Sequence, residues 1–146
     1  LPYLLGIVDA LTHLRTLHLT LHDGERVWKK DALIVSVGNG AYIGGGMKAT
    51  PFADPFDGLF EVSVVSSISR AKFLRLLPSF IKGEHTGLPE VEYFRTKELY
   101  VECPEECLIN YDGELGSGMP VRYKIIPGAV KMLVQQDMTA ANTEEK

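Results

Sequence analysis

The sequence lacks the long apolar runs, the targeting signals and the basic surplus that mark several large classes of protein. No stretch of its 146 residues approaches the roughly 18 apolar residues of a membrane span, and the N-terminus has no basic start or cleavage pattern of a signal peptide. The formal net charge is −4, so there is no global positive field for nucleic acid. We therefore expect a cytoplasmic protein that does not bind nucleic acid, although it could touch the inner face of a membrane from one side.

Cysteine is scarce as well. Cys103 and Cys107 have no second group of Cys or His nearby, and two thiols alone make a poor zinc site. We expect them to be reduced structural thiols. The histidines also lack metal-ligand spacing, and we predict that all of them lie on the surface: His13, His18, His22 and His85.

What the sequence does contain is a succession of short strand patterns. Alternation from Leu17 to Leu21, followed by Asp23-Gly24, predicts a hairpin. An apolar run of strand length then ends at Gly38, and alternation resumes at Leu59. Further short strands are predicted at residues 91–95, 99–102, 107–111, 121–126 and 129–134.

Two helices interrupt these strands. Apolar residues at spacings of three and four predict one helix over residues 2–14, and Ser69 and Gly83 are suited to cap a second over residues 69–82. Together the patterns predict a mainly β domain over residues 1–134, a sandwich or distorted barrel with two added helices. Residues 135–146 read as a polar tail.

The first motif that could carry chemistry is Asp112-Gly113-Glu114, which follows a predicted strand. If the strand continued through it, both carboxylates would face one volume, where one could act as a general base on an alcohol and either could help to place magnesium. A polar turn is the alternative, because Asp-Gly is also a common hairpin dipeptide.

The second motif is the loop from Asn39 to Pro55, which contains Gly44, Gly45 and Gly46. Successive glycines let backbone N–H groups approach an anion, yet this loop matches neither the Walker pattern nor the dinucleotide fingerprint. A tight irregular connection is the alternative interpretation.

The third motif runs from Asp54 to Leu59. The Asp57 carboxylate, with main-chain carbonyls on either side, could hold Mg²⁺, which prefers oxygen ligands. An Asp-Gly turn that opens the next strand is the alternative. In the helix between these strands, the cationic face around Arg70, Lys72 and Arg75 is interpreted as solvated, with contact to anionic lipid headgroups as a second reading.

In this order and at these spacings, the motifs resemble the bacterial diacylglycerol kinase and sphingosine kinase superfamily of lipid kinases. The resemblance extends from about Leu4 to Val134. It rests on the Asn39 to Pro51 loop, Asp57-Gly58-Leu59-Phe60, Lys82-Gly83-Glu84-His85 and Asp112-Gly113-Glu114.

The resemblance implies a two-domain kinase in which an N-terminal α/β domain, absent from this chain, binds ATP through a Gly-Gly-Asp-Gly motif. The β-rich C-terminal domain would complete the active site, and alone it would be inactive. Glu114 would be the base that deprotonates a lipid hydroxyl such as that of diacylglycerol, with Asp112 beside it positioning Mg²⁺ or the hydroxyl. The glycine-rich loop would contribute to substrate binding through Asn39, Gly44, Gly45 and Gly46.

The resemblance further implies a structural Mg²⁺ held by the Asp57 side chain and the backbone of Asp54 and Leu59, and it suggests a homodimer. Two alternatives remain at this point. An NAD kinase shares the two-domain plan but is not expected to place its base in a C-terminal Asp-Gly-Glu. A non-catalytic β-sandwich that binds lipid or a protein partner is the alternative outside the enzymes.

Overall fold

The computed structural model describes residues 14–44 and 46–131, which form a six-stranded antiparallel sheet, a separate two-stranded hairpin and one helix. The helix predicted over 2–14 lies, except for its last residue, outside the described residues, as do Gly45 and the predicted tail. The elements are β1 (Leu17–His22), β2 (Val27–Gly38), β3 (Phe60–Ser66), α1 (Arg70–Lys82), β4 (Val91–Thr96), β5 (Glu98–Glu102), β6 (Leu108–Tyr111), β7 (Glu114–Ser117) and β8 (Val121–Lys124).

The large sheet has the strand order β4-β3-β2-β1-β5-β8. The predicted hairpin is confirmed as β1 and β2, and its turn is held by the Asp23 side chain, which accepts hydrogen bonds from the backbone N–H groups of Glu25 and Arg26. The second strand of this hairpin and the apolar run that ends at Gly38 form one long strand, with a register shift between Ala32 and Ile34 where β2 meets β3. The predicted mainly β architecture is confirmed.

Alternation along the strands gives the sheet two apolar faces. One face carries the main core, which includes both cysteines: Leu19, Leu21, Ala32, Val62, Val64, Leu99, Val101, Cys103 and Cys107. The opposite face packs against α1 through residues that include Leu33, Val65, Phe73 and Phe80. Both thiols are free and buried as predicted, and burial raises the pKa of Cys103 to about 12.

The helix α1 begins and ends where its capping residues predict. The Ser69 hydroxyl accepts a hydrogen bond from the Lys72 N–H at 3.3 Å, and Gly83 ends the helix in the left-handed conformation at φ 79°. Phe73 and Phe80 are buried and point toward the sheet. The inner face of α1 therefore anchors it to the sheet.

One predicted surface histidine is buried instead. His85 is 0% exposed, its ring stacks on Phe80 with 4.3 Å between centroids, and its Nε2 lies 3.1 Å from the Ala49 carbonyl oxygen. Burial lowers the pKa of His85, which favours the neutral ring. The prediction was wrong because spacing along the chain does not reveal that the turn after Gly83 folds this side chain back under the helix. His18, by contrast, is exposed as predicted.

Two strand assignments also differ from the prediction. Residues 129–131 are not a strand, because a turn at Gly128, with φ 68°, and a hydrogen bond from the Ala129 N–H to the Ile126 carbonyl reverse the chain there. Residues 132–134 lie outside the described residues. The strand β7 was not predicted, and it follows directly from the Asp-Gly turn described below.

Gly38 gives a test of how the fold holds the glycine-rich loop. A Cβ at this position would lie 2.1 Å from Thr50 Oγ1, and that hydroxyl donates a hydrogen bond to the Gly40 carbonyl at 2.9 Å. We expect Gly38→Ala to lower the free energy of unfolding by about 1–3 kcal/mol through overpacking, measured by urea denaturation. Gly40→Ala is the matched control, because its Cβ would meet nothing within 4 Å. Equal effects of the two substitutions would contradict this account.

Candidate functional site

The Asp112-Gly113-Glu114 triplet forms the tip of a hairpin. Asp112 has φ 51° and Gly113 has φ 103°, and the strands β6 and β7 pair with Tyr111 opposite Glu114. Two successive positive φ angles make the tight turn that joins antiparallel strands. The strand therefore does not continue through the triplet, and of the two interpretations left open by the sequence the Asp-Gly turn is the one present.

Both carboxylates are nevertheless open to solvent. Asp112 and Glu114 are exposed, and within residues 14–44 and 46–131 neither forms an ion pair. The turn itself is fixed by Asn110, whose side-chain oxygen accepts a hydrogen bond from the Gly113 N–H at 2.7 Å. Below it, the Tyr111 ring covers Gly116, where a Cβ would come within 3.2 Å of the ring. The hairpin thus presents two unpaired acids on a defined backbone.

The glycine-rich loop is a tight connection between β2 and β3. Ile43 and Met47 exchange backbone hydrogen bonds of 2.9 and 3.2 Å, which leaves Gly44 and Gly46 near the tip, at φ 52° and φ 108°. The Gly46 N–H donates back to the Ile43 carbonyl. Asn39 and the two described glycines are exposed. The geometry agrees with the irregular connection, and it leaves the tip accessible to a ligand.

The sheet topology places this loop and the hairpin on separate connections. The strands β2 and β5 are both antiparallel to β1, so they run parallel to each other. The chain leaves β2 into the glycine-rich loop and leaves β5 toward the β6–β7 hairpin. The ends of these two strands are nonetheless far apart along the sheet, because Glu102 at the end of β5 lies opposite Thr20, which lies opposite Lys29, nine residues before Gly38 at the end of β2. The motifs around Gly44 and Asp57 therefore share one connection, and the hairpin that carries Glu114 leaves the sheet elsewhere.

Asp57 already has partners for its carboxylate. One oxygen accepts the Leu59 N–H at 2.8 Å, and the other accepts the Arg95 guanidinium at 2.7 Å. The Asp54 carbonyl accepts the Asp57 N–H at 3.3 Å, and the Asp54 side chain accepts the Phe56 N–H. The predicted Asp-Gly turn is thus present.

These residues do not fit a magnesium ion as they are arranged. The Arg95 guanidinium neutralises the carboxylate that a cation would need, and the described residues contain no group of three or more His, Cys, Asp or Glu side chains placed to hold a metal. A cation at Asp57 would require Arg95 to release this side chain.

Sequence reasoning missed the acid next to this turn. Glu61 is 1% exposed, and its carboxylate accepts the Tyr93 hydroxyl, the Phe52 N–H at 3.1 Å and the Arg95 Nε at 3.0 Å. The only sequence signal was a charged residue within the apolar strand β3. Its donors come from the loop and from β4, which no local pattern could reveal.

A cleft of about 560 Å³ opens beside β1 and β2. Its lining is partly polar and partly apolar: His18, Leu19, Thr20, Lys29, Asp31, Glu102, Cys103, Pro104, Met119 and Pro120. His18 Nδ1 lies 2.7 Å from Asp31 Oδ1, and this contact raises the pKa of His18. The cleft is not lined by Asp112 or Glu114, although Met119 and Pro120 lie in the segment that leads from their hairpin to β8.

With this geometry in place, comparison with known proteins identifies the domain. Residues 1–134 match the family described as the YegS C-terminal NAD kinase beta sandwich-like domain. The chain belongs to this family. The match covers nearly the whole of the chain, and the mainly β antiparallel fold agrees with the description of the family.

Curated relatives of this YegS-type domain carry kinase names. One is the "Diacylglycerol kinase" of Mycobacterium tuberculosis, 35% identical over 132 residues, which cover 90% of this chain and 42% of that protein. Another is the "Probable lipid kinase YegS-like" of Pectobacterium atrosepticum, 28% identical over 130 residues, which cover 88% of this chain and 42% of that protein. The chain thus spans less than half the length of these relatives.

A solved structure shares the fold. The crystal structure of a diacylglycerol kinase from Bacillus anthracis superposes with a TM-score of 0.64 at 23% identity, covering 84% of this chain and 44% of that chain. At this identity the likeness concerns the fold alone. Among the described residues, no helix is long and apolar enough to cross a membrane.

The burial of Glu61 predicts that the stability of the domain depends on pH. Burial raises the pKa of the Glu61 carboxyl, although the Arg95 guanidinium opposes this shift. Since the folded state then holds the proton more tightly than the unfolded chain, this contribution to stability is fully present below the ordinary Glu pKa and is lost as pH rises through the raised value. We expect the stability of the wild type relative to Glu61→Gln to fall as pH rises through that window, measured by urea unfolding at several pH values.

The control for this experiment is Glu25→Gln, at an exposed position in the β1–β2 turn. Its stability relative to the wild type should show no comparable change over the same pH window. A difference between wild type and Glu61→Gln that stays constant, or that grows with rising pH, would show that Glu61 does not titrate as its burial requires.

Proposed function

We propose that this chain is the C-terminal half of an ATP-dependent lipid kinase that transfers the γ-phosphoryl group to the hydroxyl of a lipid such as diacylglycerol. The observation that carries the proposal is the pair of exposed acids on the β6–β7 hairpin of a domain from this family, which form no ion pair with any residue that the structure describes. The names of the curated relatives support the same reaction class.

In the proposed reaction Glu114 is the general base. Its carboxylate would take the proton of the lipid hydroxyl as that oxygen bonds to the γ-phosphorus and the bond to the leaving ADP breaks. Phosphoryl transfer depends mainly on positioning and on neutralising charge, so Asp112 would orient the hydroxyl or a magnesium ion that arrives with the nucleotide. An acid used in this way must be reachable, and both side chains are exposed.

The glycine-rich loop would supply part of the substrate site. Asn39, Gly44, Gly45 and Gly46 are proposed to lie beside the acceptor or the transferred phosphoryl group, where glycine permits close approach of the backbone. The exposure of Asn39, Gly44 and Gly46 supports this proposal, because it leaves their backbone accessible to a ligand.

ATP itself would be bound by residues outside this chain. The sequence contains no Walker or Gly-Gly-Asp-Gly motif, and the relatives are more than twice as long as the matched region. The reaction is therefore proposed for a longer protein that contains this domain. A cytoplasmic location, peripheral contact with the membrane and a homodimer stay predictions.

The test is phosphoryl transfer by the full-length protein. With ³²P-labelled Mg-ATP and a panel of lipid alcohols, we expect Glu114→Gln to lower kcat by about 100-fold or more, the usual contribution of a general base. The variant should keep its fold, since the Glu114 side chain is exposed.

Glu84→Gln is the matched control, because Glu84 is another exposed acid that lies just after α1. It should retain wild-type kcat. Full activity of Glu114→Gln would eliminate this residue as the base. A wild-type protein that phosphorylates no lipid but binds lipid or a protein would favour the non-catalytic module instead.

Magnesium at Asp57 is a separate proposal, in which the ion and Arg95 compete for the same carboxylate. Arg95→Gln leaves the carboxylates of Asp57 and Glu61 without their guanidinium partner. We expect magnesium to raise the Tm of this variant and to have little effect on the wild type, measured by thermal unfolding in magnesium and in EDTA.

The matched control is Arg122→Gln, which breaks another arginine–carboxylate pair, the contact between Arg122 and Glu98 on the edge of the sheet. Its Tm should not respond to magnesium. If magnesium stabilises the wild type as much as Arg95→Gln, the ion binds without competing with Arg95, and the competition is refuted.

A further inference from the structure

The helix α1 has a second apolar face that the sheet does not cover. Its inner face packs through Phe73 and Phe80, while Leu74 and Ile81, seven residues apart, are 48% and 45% exposed. Positions seven apart lie on the same side of a helix, two turns from each other. Exposed Ala71 and Pro78 extend this outer stripe. Leu74 and Ile81 are not among the described residues that pack between α1 and the sheet.

The charges on α1 itself all have one sign. Every charged residue of α1 is Lys or Arg, although the whole chain has a formal net charge of −4. Lys72 pairs with Glu90 at 2.5 Å, so its charge is already neutralised within the domain. Arg75 and Lys82 are exposed, and within the described part of the chain neither takes part in an ion pair. The outer face of α1 is therefore both apolar and cationic.

The β2–β3 connection extends this face at the C-terminal end of α1. The Lys48 N–H donates to the Ile81 carbonyl at 3.4 Å, and a Cβ on Gly83 would lie 2.9 Å from both Lys48 Cβ and Pro51 Cβ. Lys48 Nζ lies 5.4 Å from the centre of the Tyr42 ring.

Two aromatic side chains project from this extension. Tyr42 is 62% exposed, and Phe52, next to Pro51, is 63% exposed. We call the combined surface of Tyr42, Lys48, Phe52, Leu74, Arg75, Ile81 and Lys82 the α1 face.

We propose that the α1 face docks the domain onto an anionic phospholipid surface. A helix with exposed apolar side chains flanked by Lys and Arg lies in a membrane interface, where the apolar groups enter the headgroup boundary and the cations meet anionic lipid. Tyrosine and phenylalanine at the edge suit the same boundary, since an aromatic ring can lie at headgroup level. Charge complementarity decides the occupant, because Lys48, Arg75 and Lys82 form no ion pair within the described residues and favour an anionic surface.

This inference deepens the proposed function, since a kinase acting on a lipid alcohol must reach a membrane, but its test is independent of phosphoryl transfer. The full-length protein is sedimented with vesicles of phosphatidylcholine alone, or with vesicles that also contain phosphatidylglycerol, in the absence of ATP. We expect binding to the anionic vesicles that weakens as salt rises. Glu114→Gln should bind these vesicles like the wild type, which separates docking from catalysis.

Two double variants locate the surface. Leu74→Ser with Ile81→Ser removes the apolar stripe, and Lys48→Glu with Lys82→Glu reverses the charge. Each should weaken binding to anionic vesicles by about 10-fold or more. Leu74, Ile81 and Lys82 are exposed and Lys48 is half-buried, so circular dichroism and Tm are measured to show that each variant keeps its fold.

The matched controls carry the same changes elsewhere: Ile126→Ser with Val130→Ser, at exposed apolar positions, and Lys124→Glu with Lys131→Glu. Both controls should bind like the wild type. The proposal is overturned if the wild type binds vesicles with phosphatidylglycerol no better than vesicles of phosphatidylcholine alone. It is equally overturned if the controls lose as much binding as the α1 variants. It is also overturned if the α1 variants lose self-association, measured by analytical ultracentrifugation, while vesicle binding is unchanged, because the α1 face would then contact a second copy of the chain.

Discussion

The buried carboxylate of Glu61 is the interaction on which the shape of the β2–β3 connection depends. A lone buried charge is costly, and the cost is offset only when hydrogen-bond donors surround it. Here the donors come from Phe52 in the loop and from Tyr93 and Arg95 on β4. One side chain therefore ties the loop to β3 and β4. Arg95 also reaches Asp57, so the turn that opens β3 is fixed by the same cluster.

A fixed connection matters because it limits where the tip of the glycine-rich loop can lie. The Gly38–Thr50 contact fixes the start of the loop, and the Glu61 cluster fixes its end. Between these points the chain closes on itself through Ile43 and Met47. On the helix side, Lys48 and Gly83 pack together, so the same loop also contributes to the α1 face. Loop position is thus determined by packing and buried charge rather than by regular secondary structure.

The sequence predicted features whose cause is local. The caps of α1 at Ser69 and Gly83, and the turn at Asp23, depend on contacts within a few residues, and they lie where expected. His85 and Glu61 were missed because their partners are distant along the chain: Ala49 for the imidazole, and Tyr93 for the carboxylate. Periodicity shows which strand residues alternate, but it does not show which buried polar group finds a partner.

The Asp112-Gly113 turn is a local feature that sequence reasoning weighed and left open. Continuing the strand and reversing it are both compatible with the dipeptide, and the positive φ angles of both residues decide for reversal. Because the chain reverses here, Glu114 lies on an exposed hairpin, in a different environment from the buried Glu61. Glu61 is enclosed and hydrogen-bonded by its donors, so the fold depends on this side chain, whereas Glu114 lies on an exposed hairpin with no ion pair in the described residues. An acid that the fold does not need is the one that a substrate can use, which is the physical reason for assigning the proposed proton transfer to the hairpin.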